Sequence, residues 1–217
     1  LHAPKVYADT YGLSLASLGA VLFVLRLLDV VQDPLLGLLA GRLGRRRDLA
    51  AGLATVGLGT GMLGLFAVAP LLAPLAWFAL CLTLVFSCFS FLTILFYAAG
   101  VPRAQSLGHN GHVTVARWRE TGALVGVCTA SVLPTVLMRA GVPAYGGFAV
   151  IFCLGALAAG LAMRGHWQGA APARVPGAAF GAVLRDRRAR RLIWLALLNA
   201  APLAVTSTLF LFFVDTR

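Results

Sequence analysis

Three ionisable side chains interrupt an apolar run in RLLDVVQDPLLG, residues 26–37. Arg26, Asp29 and Asp33 are spaced i, i+3, i+7, so on a helix they share one face. Two carboxylates one turn apart repel, and a single arginine compensates only one of them. The ionised group keeps a net charge of about minus one, which a monovalent cation or a proton on one aspartate would neutralise. Carboxylate oxygens suit a hard cation, and Gln32 adds a carbonyl oxygen beside them. The spacing therefore predicts an ion site, the other reading of the same residues being a salt-bridge lock between helices that binds nothing.

A helix face of this kind cannot meet lipid, where a charge near the bilayer centre costs about 2.5 to 3.5 kcal/mol on insertion scales. Yet the chain around it suits lipid. Of its 217 residues 60% are hydrophobic and 12% charged, with a mean hydropathy of +0.89, against roughly 25% charged in a soluble domain. Six spans of about 20 residues or more can be drawn, at 13–40, 49–68, 75–100, 120–138, 145–163 and 192–214. Residues 1–11 read as the end of a preceding helix. The expected fold is an all-α polytopic membrane protein, with a helix bundle at 1–163, a polar connection at 164–191 and a further span within 192–217.

The formal net charge of +11 is concentrated in connections. Arg42, Arg45, Arg46 and Arg47 follow the first span; Arg103, Arg117 and Arg119 follow the third; Arg164, Arg174, Arg185, Arg187, Arg188, Arg190 and Arg191 follow the fifth. The other side has only Lys5, Arg139 and Arg217. The positive-inside rule makes the arginine-rich side cytoplasmic, so the charge needs no nucleic acid. A plasma membrane of the bacterial inner-membrane type is the expected location. The connection at 164–191 opens with Pro/Gly-rich GHWQGAAPARVPG and closes with AAFGAVLRDRRARR, the pattern of a short amphipathic helix at a membrane surface.

The stretch RLLDVVQDPLLGLLAGRLGRRR resembles the second helix and following loop of the glycoside-pentoside-hexuronide:cation symporters, the melibiose-permease-like branch of the major facilitator superfamily. PKVYADTYGLSLASLG, VARWRETGALVGV and LLNAAPLAVTSTLFLFFV agree with it, in the family's order. The resemblance implies a twelve-helix major facilitator fold whose two six-helix halves alternate access around a central site. This chain would be an N-terminal fragment: the six-helix half, from the end of helix 1, plus helix 7.

On the same resemblance, Asp29 and Asp33 match the family's paired cation-binding aspartates and Gln32 its neighbouring amide, with Arg26 tuning their charge. Arg119, in ARWRE, matches an arginine implicated in sugar binding, and Tyr97 lies near a helix 4 position that could face the solute. The span at 75–100 has no acid, so a galactoside-type sugar site is not expected. The loop after the first span is similar to the superfamily's gating motif G-x-x-x-D-R-x-G-R-R. Gly37, Arg42, Gly44, Arg45 and Arg46 match it, and Gly41 replaces the aspartate. Those arginines read equally as a positive-inside anchor. Glu120 either pairs with them as a gate or caps the N-terminus of the span it opens.

Other candidates read as structure. Cys81, Cys88, Cys128 and Cys153 lie in apolar runs without metal spacing. His109 and His112 have no acidic or thiol companions. Asn199 and Pro202 suggest a kink bordering a transport site or a plain packing kink, Lys5 and Asp9 a weak surface pair, and the glycines at 49–68 close helix packing. No phosphate loop, GxSxG elbow or HExxH occurs, so no enzyme is expected. The function expected is cation-coupled symport of a small solute, a sugar or glycoside among the candidates, driven by Na⁺ or H⁺. No cofactor or resident metal is implied, and the protein would be a monomer in the bilayer. A proton-coupled exporter and a non-transporting sensor or scaffold stay open beside it.

Overall fold

Ser14 opens the charged helix: its Oγ accepts the Ser17 N–H at 3.1 Å, satisfying one of the donors that a helix's first turn leaves unpaired. The helix then runs for 28 residues, about 42 Å, enough to cross a bilayer. The computed structural model describes residues 2–167, 185–192, 194, 195 and 198. Within them the order is α1 (Ala3–Tyr11), α2 (Leu15–Arg42), a 3-10 turn (Gly44–Arg46), α3 (Arg47–Phe66), α4 (Pro74–Ser106), α5 (Gly111–Arg139) and α6 (Ala144–Ala162). No strand occurs among the described residues. Helices suit these apolar sequences because each backbone N–H finds its acceptor within the segment and none is left to hydrocarbon. From α2 to α6, five helices are long and apolar enough to cross a membrane.

The chain divides into two units, Leu1–Pro172 and Ala173–Arg217. In the second, residues 185, 187–192, 194, 195 and 198 are helical. The expected span at 192–214 beyond Leu198, Asn199, Pro202, and the connection from 168 to 184 with Arg174 lie outside the described residues.

Three observed helices keep their expected limits within about two residues. The exceptions are α4 and α5. α4 continues to Ser106 and α5 begins at Gly111, so most of the supposed connection at 101–119 is helix and only 107–110 turns the chain. Hydropathy stops counting at Arg103 and Arg119, whereas the backbone keeps its hydrogen bonds into the polar layer. This tight hairpin places the ends of α4 and α5 side by side.

Packing is closest between α3 and α4. A Cβ built at Gly57, Gly61 or Gly64 would lie 2.7 Å from Cys88 Sγ, 2.7 Å from Val85 Cγ2 and 2.9 Å from Cys81 Sγ, respectively. Only a missing side chain lets the helices approach so near, as the glycine-rich sequence suggests. Two apolar clusters complete the first unit. One gathers Tyr7, Leu18, Leu25, Leu65, Phe78 and Leu82; the other gathers Ala40, Ala51, Ala54, Phe91, Leu95 and Trp167.

Pro134 lies inside α5 and has no N–H for the Ala130 carbonyl one turn back. His2 donates to that carbonyl instead, Nε2 to O 3.2 Å. The imidazole also meets the rings of Tyr145 and Phe148, each 6.1 Å away between centroids.

Candidate functional site

α2 is anchored through Leu18 and Leu25 in one apolar cluster and Ala40 in the other. Its charged residues lie between the anchors. Arg26 Nη1 stands 3.5 Å from Asp29 Oδ2, and its guanidinium carbon lies 5.6 Å from the centroid of the Phe86 ring on α4. The Arg26 side chain is 77% exposed and that of Asp29 21%, so the carboxylate is the sheltered partner.

Asp33 differs. No cation pairs with it among the described residues; its Oδ1 instead accepts the hydroxyl hydrogen of Ser90, from the middle of α4. Parallel packing explains the meeting: α2 and α4 start at the same end of the bundle, and Asp33 lies about 27 Å along α2 and Ser90 about 24 Å along α4. The residual negative charge expected from the sequence therefore falls on Asp33, bridged between two helices. Gln32 is half-buried one residue before it.

Ser90 escaped the sequence reading. Four serine and threonine hydroxyls punctuate the middle of α4, at Thr83, Ser87, Ser90 and Thr93. Thr83 and Thr93 donate back to the carbonyls of Ala79 and Phe89 in their own helix, at 2.7 and 2.8 Å, the common fate of a helical hydroxyl. Ser90 donates across to α2, and composition alone does not distinguish it from the others.

The second constellation lies nearer the arginine-rich end. Tyr97 is nine residues from the end of α4 and Arg119 eight from the start of α5; the turn between them sets the two at one depth. The Arg119 guanidinium carbon lies 4.9 Å from the centroid of the Tyr97 ring, a cation–π distance. Arg119 also donates to Glu120 Oε1 from Nη2 at 2.7 Å and from Nε at 3.0 Å. All three border a cavity of about 980 Å³ between α3, α4, α5 and α6. Its other walls are mainly apolar, with Phe89, Phe148, Phe152 and Trp167 among them.

Two readings of Glu120 change here. Asn110 precedes the first turn of α5, so Glu120 is nine residues inside the helix and does not cap it. Its ion-pair partner is its neighbour Arg119, not the arginines after α2.

In the loop resembling the gating motif, Gly44 has φ +47°, a left-handed conformation that favours glycine. Gly37 has open space where a Cβ would be, so packing in this unit does not require it. Arg42, Arg45 and Arg46 are exposed and form no ion pair among the described residues. The buried arginine is Arg47, 3% exposed, whose Nε donates to the Ala40 carbonyl at 3.3 Å. Asp48 Oδ1 accepts the Gly165 N–H at 3.2 Å, tying the start of α3 to the turn after α6. His109 and His112 are exposed.

No curated protein and no solved structure matches the chain. The profile of the MFS/sugar transport protein family, by contrast, matches residues 4–216, almost the whole length. With five membrane-crossing helices in an all-helical unit that corresponds to the N-terminal half of a major facilitator fold, the chain belongs to the MFS/sugar transport protein family.

Proposed function

We propose that this membrane transporter is a cation-coupled symporter in which Asp29, Asp33 and Gln32 on α2, joined by Ser90 on α4, bind the coupling ion. One observation carries the reading: Asp33 is a carboxylate without a cationic partner among the described residues, held between two helices by the Ser90 hydroxyl. Arg26 compensates Asp29, leaving Asp33 to a Na⁺ ion or a proton. Occupancy removes a charge from the α2–α4 interface and so favours the conformations in which that interface is dry. Gly37, Arg42, Gly44, Arg45 and Arg46 then act at the arginine-rich end, facing the cytoplasm, where the α2–α3 turn follows the motion.

Arg119 and Tyr97 are the proposed solute contacts. A guanidinium suits hydroxyl or anionic oxygens, and a phenol can hydrogen-bond them or stack on a sugar ring. The apolar walls beside the pair suit a glycoside, whose aglycone they would receive, better than a free sugar.

The reading is tested by calorimetry on the purified protein, titrating Na⁺, Li⁺ and pH in the wild type and in Asp33→Asn. Saturable Na⁺ or Li⁺ binding that the variant loses supports metal-ion coupling. Proton uptake near neutral pH that the variant loses supports H⁺ instead. With neither response, the group is a structural lock and the symporter reading falls.

A further inference from the structure

The second unit carries a feature outside the transport site. Arg185, Arg187, Arg188, Arg190 and Arg191 are all exposed, and the chain offers little to neutralise them. It has seven acidic residues against eighteen lysines and arginines, and the acid within this segment is Asp186. That carboxylate is engaged with the backbone: Oδ1 accepts the Arg188 N–H at 2.9 Å, and the Asp186 carbonyl accepts the Arg190 N–H at 3.0 Å. It acts as a helix cap rather than as a partner for a guanidinium.

The described apolar residues that follow are helical too. Leu192, Trp194, Leu195 and Leu198 are 68%, 63%, 63% and 64% exposed. On a helical register of about 100° per residue, the sequence spacing puts Arg187, Arg191, Trp194, Leu195 and Leu198 at i, i+4, i+7, i+8 and i+11, one stripe. Arg188 stands at its edge and Arg190 on its other flank. Along this stripe two guanidiniums come first, then an indole, then aliphatic carbon. The order is that of a phospholipid met from its headgroup inward: planar forks that match phosphate oxygens two at a time, an amphipathic ring at the interface, and leucines level with acyl chains.

We propose that this stripe is a binding site for an anionic phospholipid, with Arg187 and Arg191 on the phosphate and Trp194, Leu195 and Leu198 along the first part of an acyl chain. The local excess of positive charge selects an anionic headgroup over a zwitterionic one. An arginine near an anionic membrane surface contributes roughly fivefold to binding, so the two on the stripe account for about a 25-fold preference before screening by salt.

The test uses the full chain in phosphatidylcholine nanodiscs containing a small fraction of either dibrominated phosphatidylglycerol or dibrominated phosphatidylcholine. Trp194 fluorescence is isolated by subtracting Trp194→Phe. The brominated anionic lipid should quench Trp194 several-fold more than the brominated zwitterionic lipid does. Arg187→Gln with Arg191→Gln should remove most of that difference, while the equal charge change Arg188→Gln with Arg190→Gln should remove less. Equal quenching by the two lipids in the wild type overturns the proposal. Equal losses from the two double variants also overturn it, because they indicate diffuse surface charge instead of a site. Suppression of the preference by millimolar inorganic phosphate would assign the arginines to a free anion and overturn the lipid reading.

Discussion

On its α3 side, α4 lies against Gly57, Gly61 and Gly64, with Cys81, Val85 and Cys88 filling the space their missing side chains leave. On its α2 side it presents Phe86 to Arg26 and Ser90 to Asp33. The first contact is dispersion between surfaces in close approach and has one good arrangement. The second is electrostatic, and its strength changes when a proton or ion arrives. The difference teaches where movement would belong under the proposed coupling: α3 and α4 should travel as one body, with α2 shifting against them when the charge on Asp33 changes.

Removing the charge should produce the largest effect. Asp33→Asn is expected to abolish saturable cation binding, a loss of at least about 100-fold, or about 3 kcal/mol, because it removes the carboxylate whose charge the ion would neutralise. Asp29→Asn should weaken binding about tenfold, because Arg26 already offsets that carboxylate. Calorimetric titration of both variants checks the ranking, and equal losses would break the assignment of the residual charge to Asp33.

The rigid side is probed by adding one carbon. Gly61→Ala puts a Cβ 2.7 Å from Val85 Cγ2 and 3.3 Å from the Cys81 carbonyl oxygen, and should cost about 1 to 3 kcal/mol through overpacking. Gly52→Ala, where a Cβ meets nothing within 4 Å, should be neutral or stabilise by about 0.5 to 1 kcal/mol. Thermal unfolding in detergent measures both. If Gly61→Ala is as harmless as Gly52→Ala, the α3–α4 contact is no tighter than an ordinary membrane interface.

A smaller effect is expected at the hydroxyl joining the two sides. Ser90→Ala should weaken cation binding about tenfold, the worth of one hydrogen bond to a charged group. Stability should change little, because α4 keeps its seam with α3. A variant that unfolds yet binds normally when folded would recast Ser90 as a packing residue.

Much of this was legible in advance, and for physical reasons. Helical spacing put Arg26, Asp29 and Asp33 on one face, and the glycines at 49–68 signalled close packing before any neighbour was known. What stayed hidden depended on the partner helix. One of four similar hydroxyls in the middle of α4 faces Asp33, and only the parallel register of α2 and α4 selects Ser90. Arg47 is buried while Arg45 and Arg46 are exposed, a distinction made by the turn at Gly44 and invisible in a run of three arginines. The 101–119 segment misled because polarity marks where hydrocarbon ends, not where a helix does.

Proline sharpens the same contrast. Pro34 in α2 and Pro134 in α5 each sit within a long helix, and each deprives the carbonyl four residues earlier of its usual donor. In α5 the deficit is made good by His2, so the irregularity is sealed by another helix. In α2 the corresponding residue is Val30, 72% exposed, beside the carboxylates of the proposed ion site. A sealed carbonyl fixes helices together, whereas an open one leaves α2 able to bend where its charge changes. The sealed case can be tested by a double-mutant cycle. His2→Phe keeps an aromatic ring among Tyr145 and Phe148 but loses the donor, and should cost about 1 kcal/mol in thermal unfolding, within the range measured for interhelical hydrogen bonds in membranes. Pro134→Ala returns an N–H to the Ala130 carbonyl, so in that background His2→Phe should cost close to nothing. A cost equal in both backgrounds would mean that His2 contributes through its ring contacts alone, and that its hydrogen bond to the Ala130 carbonyl adds nothing to stability.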